Sequence, residues 1–127
     1  MGALDSLADG KILRYSVDLE NAQIEMNIDL VDHEKRDILF DGVLAYHLER
    51  GEFQNNWLFN IREVSAEVIL KEYKSELEMG LPHGWTHLWK KPKVLVKEMA
   101  EKQAKAWRIE GSCGLDGFII AKDVKQK

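Results

Sequence analysis

The sequence predicts an α+β domain: about six mainly antiparallel strands, strongly bent or open-barrel-like, with two helices packed against the sheet. Three observations predict it. Residues 11–64 alternate apolar and polar side chains in runs separated by short polar breaks, the period of half-buried strands. Residues 65–80 switch to a spacing of three and four, the period of helices, and a second helical stretch follows from Lys93. The last residues return to alternating and β-branched runs on either side of Gly111, Gly114 and Gly117. With 127 residues, no repeat and no Pro/Gly/Ser-rich linker, one domain spanning 1–127 is expected.

The elements follow in order. In KILRYSVDLENAQIEMNIDLV, Leu13, Tyr15, Val17 and Leu19 read as the buried series of a first strand, with Ile12, Arg14, Ser16 and Asp18 on its other side. Glu20-Asn21 breaks the pattern as a turn would. Ile24, Met26, Ile28 and Leu30 then alternate with outward Glu25, Asn27 and Asp29, completing an antiparallel hairpin. DHEKRD is a polar turn, and ILFDGVLAYHLERG a longer third strand. Gly42 in its middle marks a bulge or bend. A fourth strand is expected near 56–62.

SAEVILKEYKSELEMG predicts one helix, with Ser65 at its N-cap and Gly80 as its stop. Val64, Val68, Ile69, Tyr73 and Leu77 make a stripe that can cover a sheet. The segment between Pro82 and Pro92 is irregular, and a second helix runs from Lys93 to about Gln103.

The three glycines raise the question of a phosphate loop. A Walker loop needs Lys followed by Ser or Thr after its last glycine, and a Rossmann loop needs Gly-x-Gly-x-x-Gly opening a helix. Gly111, Gly114 and Gly117 have neither spacing, and FIIAKDV after them reads as a strand. A hairpin whose glycines supply positive φ is the expectation.

Charge narrows the function classes. The net charge of −4 is split: residues 1–80 hold seventeen acids against eight bases, and residues 81–127 hold five against ten. An acidic majority argues against nucleic acid as a partner, because phosphate backbones need basic surface. No apolar run approaches membrane length, and the N-terminus has no apolar core of a secretory signal. Gly2 and Ser6 fit the loose myristoylation pattern, which Asp5 suits poorly. The single cysteine, Cys113, can form no internal disulfide, so a cytoplasmic protein is expected.

Few residues suggest chemistry. His83 and His87 stand four apart, but Pro82 and Gly84 disfavour the helix that would aim both at a metal. No metal, no cofactor and no catalytic residue is therefore assigned. Asp29, Asp32, Glu34, Asp37 and Asp41 gather around the second turn, where a solvated acidic edge or an acidic patch for a basic protein are both open. Trp85 and Trp89 precede Lys90, Lys91 and Lys93, and read either as core or as interface anchors.

The stretches FDGVLAYHLERGEFQNNWLFNIREV and RIEGSCGLDGFIIAKDV resemble segments of small bacterial cytoplasmic proteins, several of them linked to toxin immunity. That resemblance implies an α+β protein without enzymatic activity that neutralises a toxin by direct binding. It supplies no functional residues.

The expectation is a non-enzymatic protein-binding domain, immunity-like or regulatory, that occludes a basic protein partner. Asp32, Glu34 and Asp37 would supply the charge and Trp57 and Trp85 the anchors. The alternative is a small-molecule-binding protein or enzyme with Tyr15, Tyr46 or His47 reaching inside the curved sheet; alternation lets at most one of Tyr46 and His47 face inward. A homodimer through an exposed edge strand is also open.

Overall fold

The computed structural model describes Leu4 and residues 7–127. Among these, the strands are β1 (Lys11–Asp18), β2 (Gln23–Asp29), β3 (Lys35–Glu49), β4 (Trp57–Val64), β5 (Lys105–Cys113) and β6 (Asp116–Gln126). Between β4 and β5 lie α1 (Ala66–Glu72), α2 (Lys74–Glu78), a 3-10 turn at His87–Lys90 and α3 (Pro92–Glu101). All strand neighbours are antiparallel, and their hydrogen bonds run in a ring, β1-β2-β3-β6-β5-β4 and back to β1. The closing link is the thinnest: β4 meets β1 at a single residue pair, Trp57 with Lys11.

Alternation explains what fills the ring. Ile24, Met26 and Ile28 of β2, Ile38 and Phe40 of β3, Ile109 of β5 and Ile119 of β6 are buried on its inner side. Each such side chain contributes roughly 1.5–3 kcal/mol by leaving water. A second core lies outside the ring. There Ala45, Ala106, Phe118 and Ile120 point outward from β3, β5 and β6 and are covered by Ile69, Tyr73, Leu77, Trp89, Leu95 and Met99. The helices and the 3-10 turn therefore roof one flank of the sheet.

The glycine segment is the β5–β6 hairpin, as its flanks imply. Gly114 has φ +79° in the turn, a conformation that costs other L-residues. A Cβ on Gly117 would run into the backbone carbonyl of His47 on the neighbouring strand, so close strand packing also requires glycine there.

Several expectations need correction. Only Ile12 of β1 is fully buried, whereas Leu13 is 48% and Leu19 84% exposed and Tyr15 is also exposed. The register with β2 slips between Ile12 and Arg14, so Leu13 sits in a bulge and the alternation changes phase there. Tyr15 and Val17 then return to the side of Met26 and Ile24, but β4 does not extend far enough to cover them. The single helix expected over residues 65–80 is two, interrupted at Tyr73, so three helices pack against the sheet rather than two. Tyr73 has left helical geometry, and its hydroxyl is committed to Asp116 across the layer. Ser65 occupies the N-cap position without a side-chain capping bond. Gly42, with φ +64°, stands beside the register slip of β3 between Val43 and Ala45, as its position suggests. No helix among the described residues is long and apolar enough to cross a membrane. Gly2 and Ser6 lie outside the described residues.

Candidate functional site

The outer flank of β1, β2 and the first half of β3 carries no helix, and register builds it row by row. Opposed residues of antiparallel strands share a face. The row Trp57, Lys11, Asp29, Lys35 comes first. Arg14, Asn27 and Asp37 form the next, then Ser16, Glu25, Leu39 and Lys125, then Asp18, Gln23, Asp41 and Asp123. The result is a polar face with more acids than bases.

Hydrogen bonds fix its side chains. Asn27 Nδ2 donates to Asp37 Oδ1 at 2.6 Å and to Glu25 Oε2 at 3.1 Å, while Arg14 Nε donates to Asn27 Oδ1 at 2.7 Å. Lys127 Nζ reaches Glu25 Oε1 at 2.7 Å, and Gln23 Nε2 donates to Asp41 Oδ1 at 3.2 Å. Between these groups lies a groove of about 380 Å³ lined by Ser16, Asp18, Gln23, Glu25, Leu39 and Lys127. Bonds from Asn21 hold the Asp18 carboxyl below the usual carboxylate range, and Lys127 followed by Asn27 does the same for Glu25. Both stay ionised at neutral and mildly acidic pH, around an aliphatic floor.

Asp32 and Glu34 stand in the β2–β3 turn at the end of this face. Asp32 Oδ1 accepts from the Glu34 backbone N–H at 2.9 Å, and Glu34 Oε1 lies 3.4 Å from Arg36 Nε. Asp32 thus shapes the turn, as a short acceptor side chain in that position can. Asp37 belongs to the face itself. Trp57 closes the first row, 42% exposed, with the Lys11 ammonium 5.5 Å from its ring centre. Of the five expected partner-binding residues, Asp37 and Trp57 therefore lie on this face, while Asp32 and Glu34 stand in the turn at its end, with Glu34 turned toward Arg36.

Trp85 does not. It lies under the helical roof, half-buried, with Trp89 at 5.3 Å and Phe118 at 5.9 Å between ring centres. Position in sequence could not separate Trp57 from Trp85, because the roof is made by contacts between distant segments. Sequence reasoning assigned Glu25 and Asp18 outward but did not single them out; the alternation of β2 was the available signal.

The residues with chemical potential lie elsewhere. Tyr46 packs toward the ring interior and His47 toward the roof, so only one of the pair faces inward. Burial, and then the nearby Tyr15, push the Tyr46 hydroxyl up. Its ring stacks on His83 at 4.8 Å, and the two residues exchange backbone hydrogen bonds. A rim cavity of about 170 Å³ opens there, lined by Val17, Ile24, Val43, Tyr46 and His83 among others. His83 is thus engaged with Tyr46, while His87 sits in the 3-10 turn, and among the described residues no group of three or more His, Cys, Asp or Glu could hold a metal ion.

Beneath the roof, Arg108 forms the densest polar cluster. Its guanidinium meets Asp116 Oδ1 at 2.7 Å and Glu72 Oε2 at 2.9 Å, donates to the Gly117 carbonyl at 3.0 Å, and lies 5.2 Å from the Tyr73 ring. Tyr73 OH donates to the same Asp116 oxygen at 3.2 Å, and Asp116 Oδ2 accepts from Gly111 N–H at 3.1 Å. His47 Nε2 bonds Glu49 Oε2 at 3.1 Å beside it. These bonds tie α1 and the helix break to the β5–β6 hairpin. Burial pushes the Tyr73 hydroxyl strongly up, so it stays protonated.

No family model, curated protein or solved structure matches this chain.

Proposed function

We propose that the chain is a non-enzymatic binding domain that captures a basic protein on the uncovered face of β1, β2 and β3. The mechanism is occlusion, as in the immunity-linked proteins that parts of the sequence resemble. The observation that carries this reading is the groove at Asp18, Glu25 and Leu39. Two ionised carboxylates flank an aliphatic floor, Asp18 held by Asn21 and Glu25 paired with the chain's own Lys127. The methylene stem of a partner's lysine or arginine therefore suits the floor, and its charged head meets Asp18 or displaces Lys127. Asp37 lies on the same face, Asp32 and Glu34 extend the negative field past its end, and Trp57 offers an aromatic anchor at its corner.

The enzyme alternative has less support. The ring interior is occupied by Ile24, Met26, Ile38, Phe40 and Ile119, which leaves a substrate little room there. His47 points to the roof instead.

The test is a pull-down with the tagged chain from extracts of its native host at low and moderate salt, followed by titration of the identified pair. A stoichiometric basic partner is expected. Its association rate should fall with salt, and the triple reversal D32K/E34K/D37K should weaken binding by roughly tenfold or more. A partner indifferent to both salt and the reversal overturns the electrostatic reading.

A further inference from the structure

We propose that β1 is a self-pairing edge: two copies of the chain join β1 to β1 in antiparallel fashion about a two-fold axis at Ser16. The starting point is an open ladder. The Ile12 N–H points away from β2 and is taken by the Asn56 carbonyl at 2.7 Å. Hydrogen-bonding direction alternates along a strand, and Tyr15 and Val17 face Met26 and Ile24 in the β2 register. Their N–H and C=O groups therefore point to the same outer side as those of Ile12. Past Lys11, however, β4 supplies nothing, and among the described residues no backbone hydrogen bond meets Tyr15 or Val17 on that side. An edge of this kind, without proline and with exposed Leu13 and Leu19 at its two ends, is a template for another strand.

The sequence of β1 is complementary to itself. With Ser16 on the axis, Tyr15 falls opposite Val17 of the second copy, and the reverse, so all the outward backbone groups of both residues find partners. Centring on Tyr15 or Val17 would engage only one of the two. The same register sets Arg14 opposite Asp18 of the second copy, twice, by symmetry. Opposite charges facing each other across a strand pair stabilise it, and like charges destabilise it. Arg14 Nε is already oriented by Asn27 at 2.7 Å, and the Asp18 carboxylate by Asn21 Nδ2 at 2.8 Å, so both are fixed near the seam.

Sedimentation equilibrium of the full chain across a wide concentration range tests this directly. The expected result is twice the chain mass at the upper end. R14D alone and D18R alone should each weaken association by roughly tenfold or more, because each sets like charges opposite one another. An equimolar mixture of the two variants should associate again, since one copy then offers two acids and the other two bases. Asp18 also holds the β1–β2 turn and lines the groove assigned to a basic partner, so V17P, which leaves that carboxylate in place, gives a second route. It deletes one outward N–H and leaves the β1–β2 ladder bonds in place, and should yield a folded monomer by circular dichroism. A single-chain mass at all concentrations overturns the proposal. So does a dimer that ignores R14D, D18R and V17P, or variants that fail to reassociate on mixing.

Discussion

The two outer flanks of one sheet have opposite fates. On β6, Phe118 and Ile120 point outward and are buried under the helical roof, while Asp123 and Lys125 further along point outward into solvent. On β3, Ala45 and His47 lie under the roof, and Asp37 and Asp41 do not. The long strands thus pass from covered to bare along their own length. The lesson is written in local pattern. FIIA is apolar at every position because both faces are buried, whereas QIEMNID alternates because one face is wet. Continuous apolarity marks where the chain must supply a second layer, and alternation marks where a surface is left for something else.

The sharpest way to break this comparison is to remove a ring from the covered flank. Phe118 is fully buried against Tyr73, Trp85 and His47. F118A should cost about 3–5 kcal/mol in urea denaturation. The matching change on the bare flank, L39A, should cost about 1 kcal/mol or less, because Leu39 is only half-covered. Equal losses would mean that the bare flank is also core.

Much of this was legible in the sequence, and the failures have specific causes. Period-two patterning placed the strands, and Gly114 and Gly117 marked the terminal hairpin because FIIAKDV follows them. The Leu13 bulge was not legible, since it inserts an apolar residue into a pattern that looks unbroken. The break at Tyr73 was hidden because both sides of it keep helical spacing, and the hydroxyl that accompanies it binds Asp116, forty-three residues away. Ring closure through Trp57 and Lys11 is a long-range pairing with no local signal. It decides that Trp57 borders the acidic face while Trp85 joins the roof. Asp37 was visible as one acid among many, but the neighbours that make its face, Arg14 and Glu25, arrive by register.

A smaller effect separates the flanks by pH. The folded chain holds the Tyr73 hydroxyl protonated well above its ordinary range, mainly through burial. The unfolded chain loses that proton near pH 10. Below that pH both states bind it and stability is unaffected; above it the unfolded state binds fewer protons, so stability falls as pH rises. Y73F should lose about 1 kcal/mol at pH 7 with the Asp116 hydrogen bond, and should flatten the decline above pH 10. A decline unchanged in Y73F would place its origin outside the roof.

The smallest expected change in stability comes from D37N, and it sharpens the comparison most. Asp37 Oδ1 accepts from Asn27 on an exposed face, and an asparagine oxygen can accept the same bond. Stability should therefore move by about 0.5 kcal/mol or less, as for surface substitutions in general. The bare flank has a pH dependence of its own. Asp18 and Glu25 titrate below their unfolded values, so what they contribute is present above about pH 4 and is lost as pH falls through their folded values. That acid limb should be shallow, since Asp18 lies in solvent and the partner of half-buried Glu25, Lys127, is exposed, so salt screens both. The same D37N change should nonetheless weaken capture of a basic partner, because it removes a charge from the face without disturbing the fold. A stability loss approaching that of F118A would show that the acids of β1, β2 and β3 hold the sheet together rather than wait for a partner.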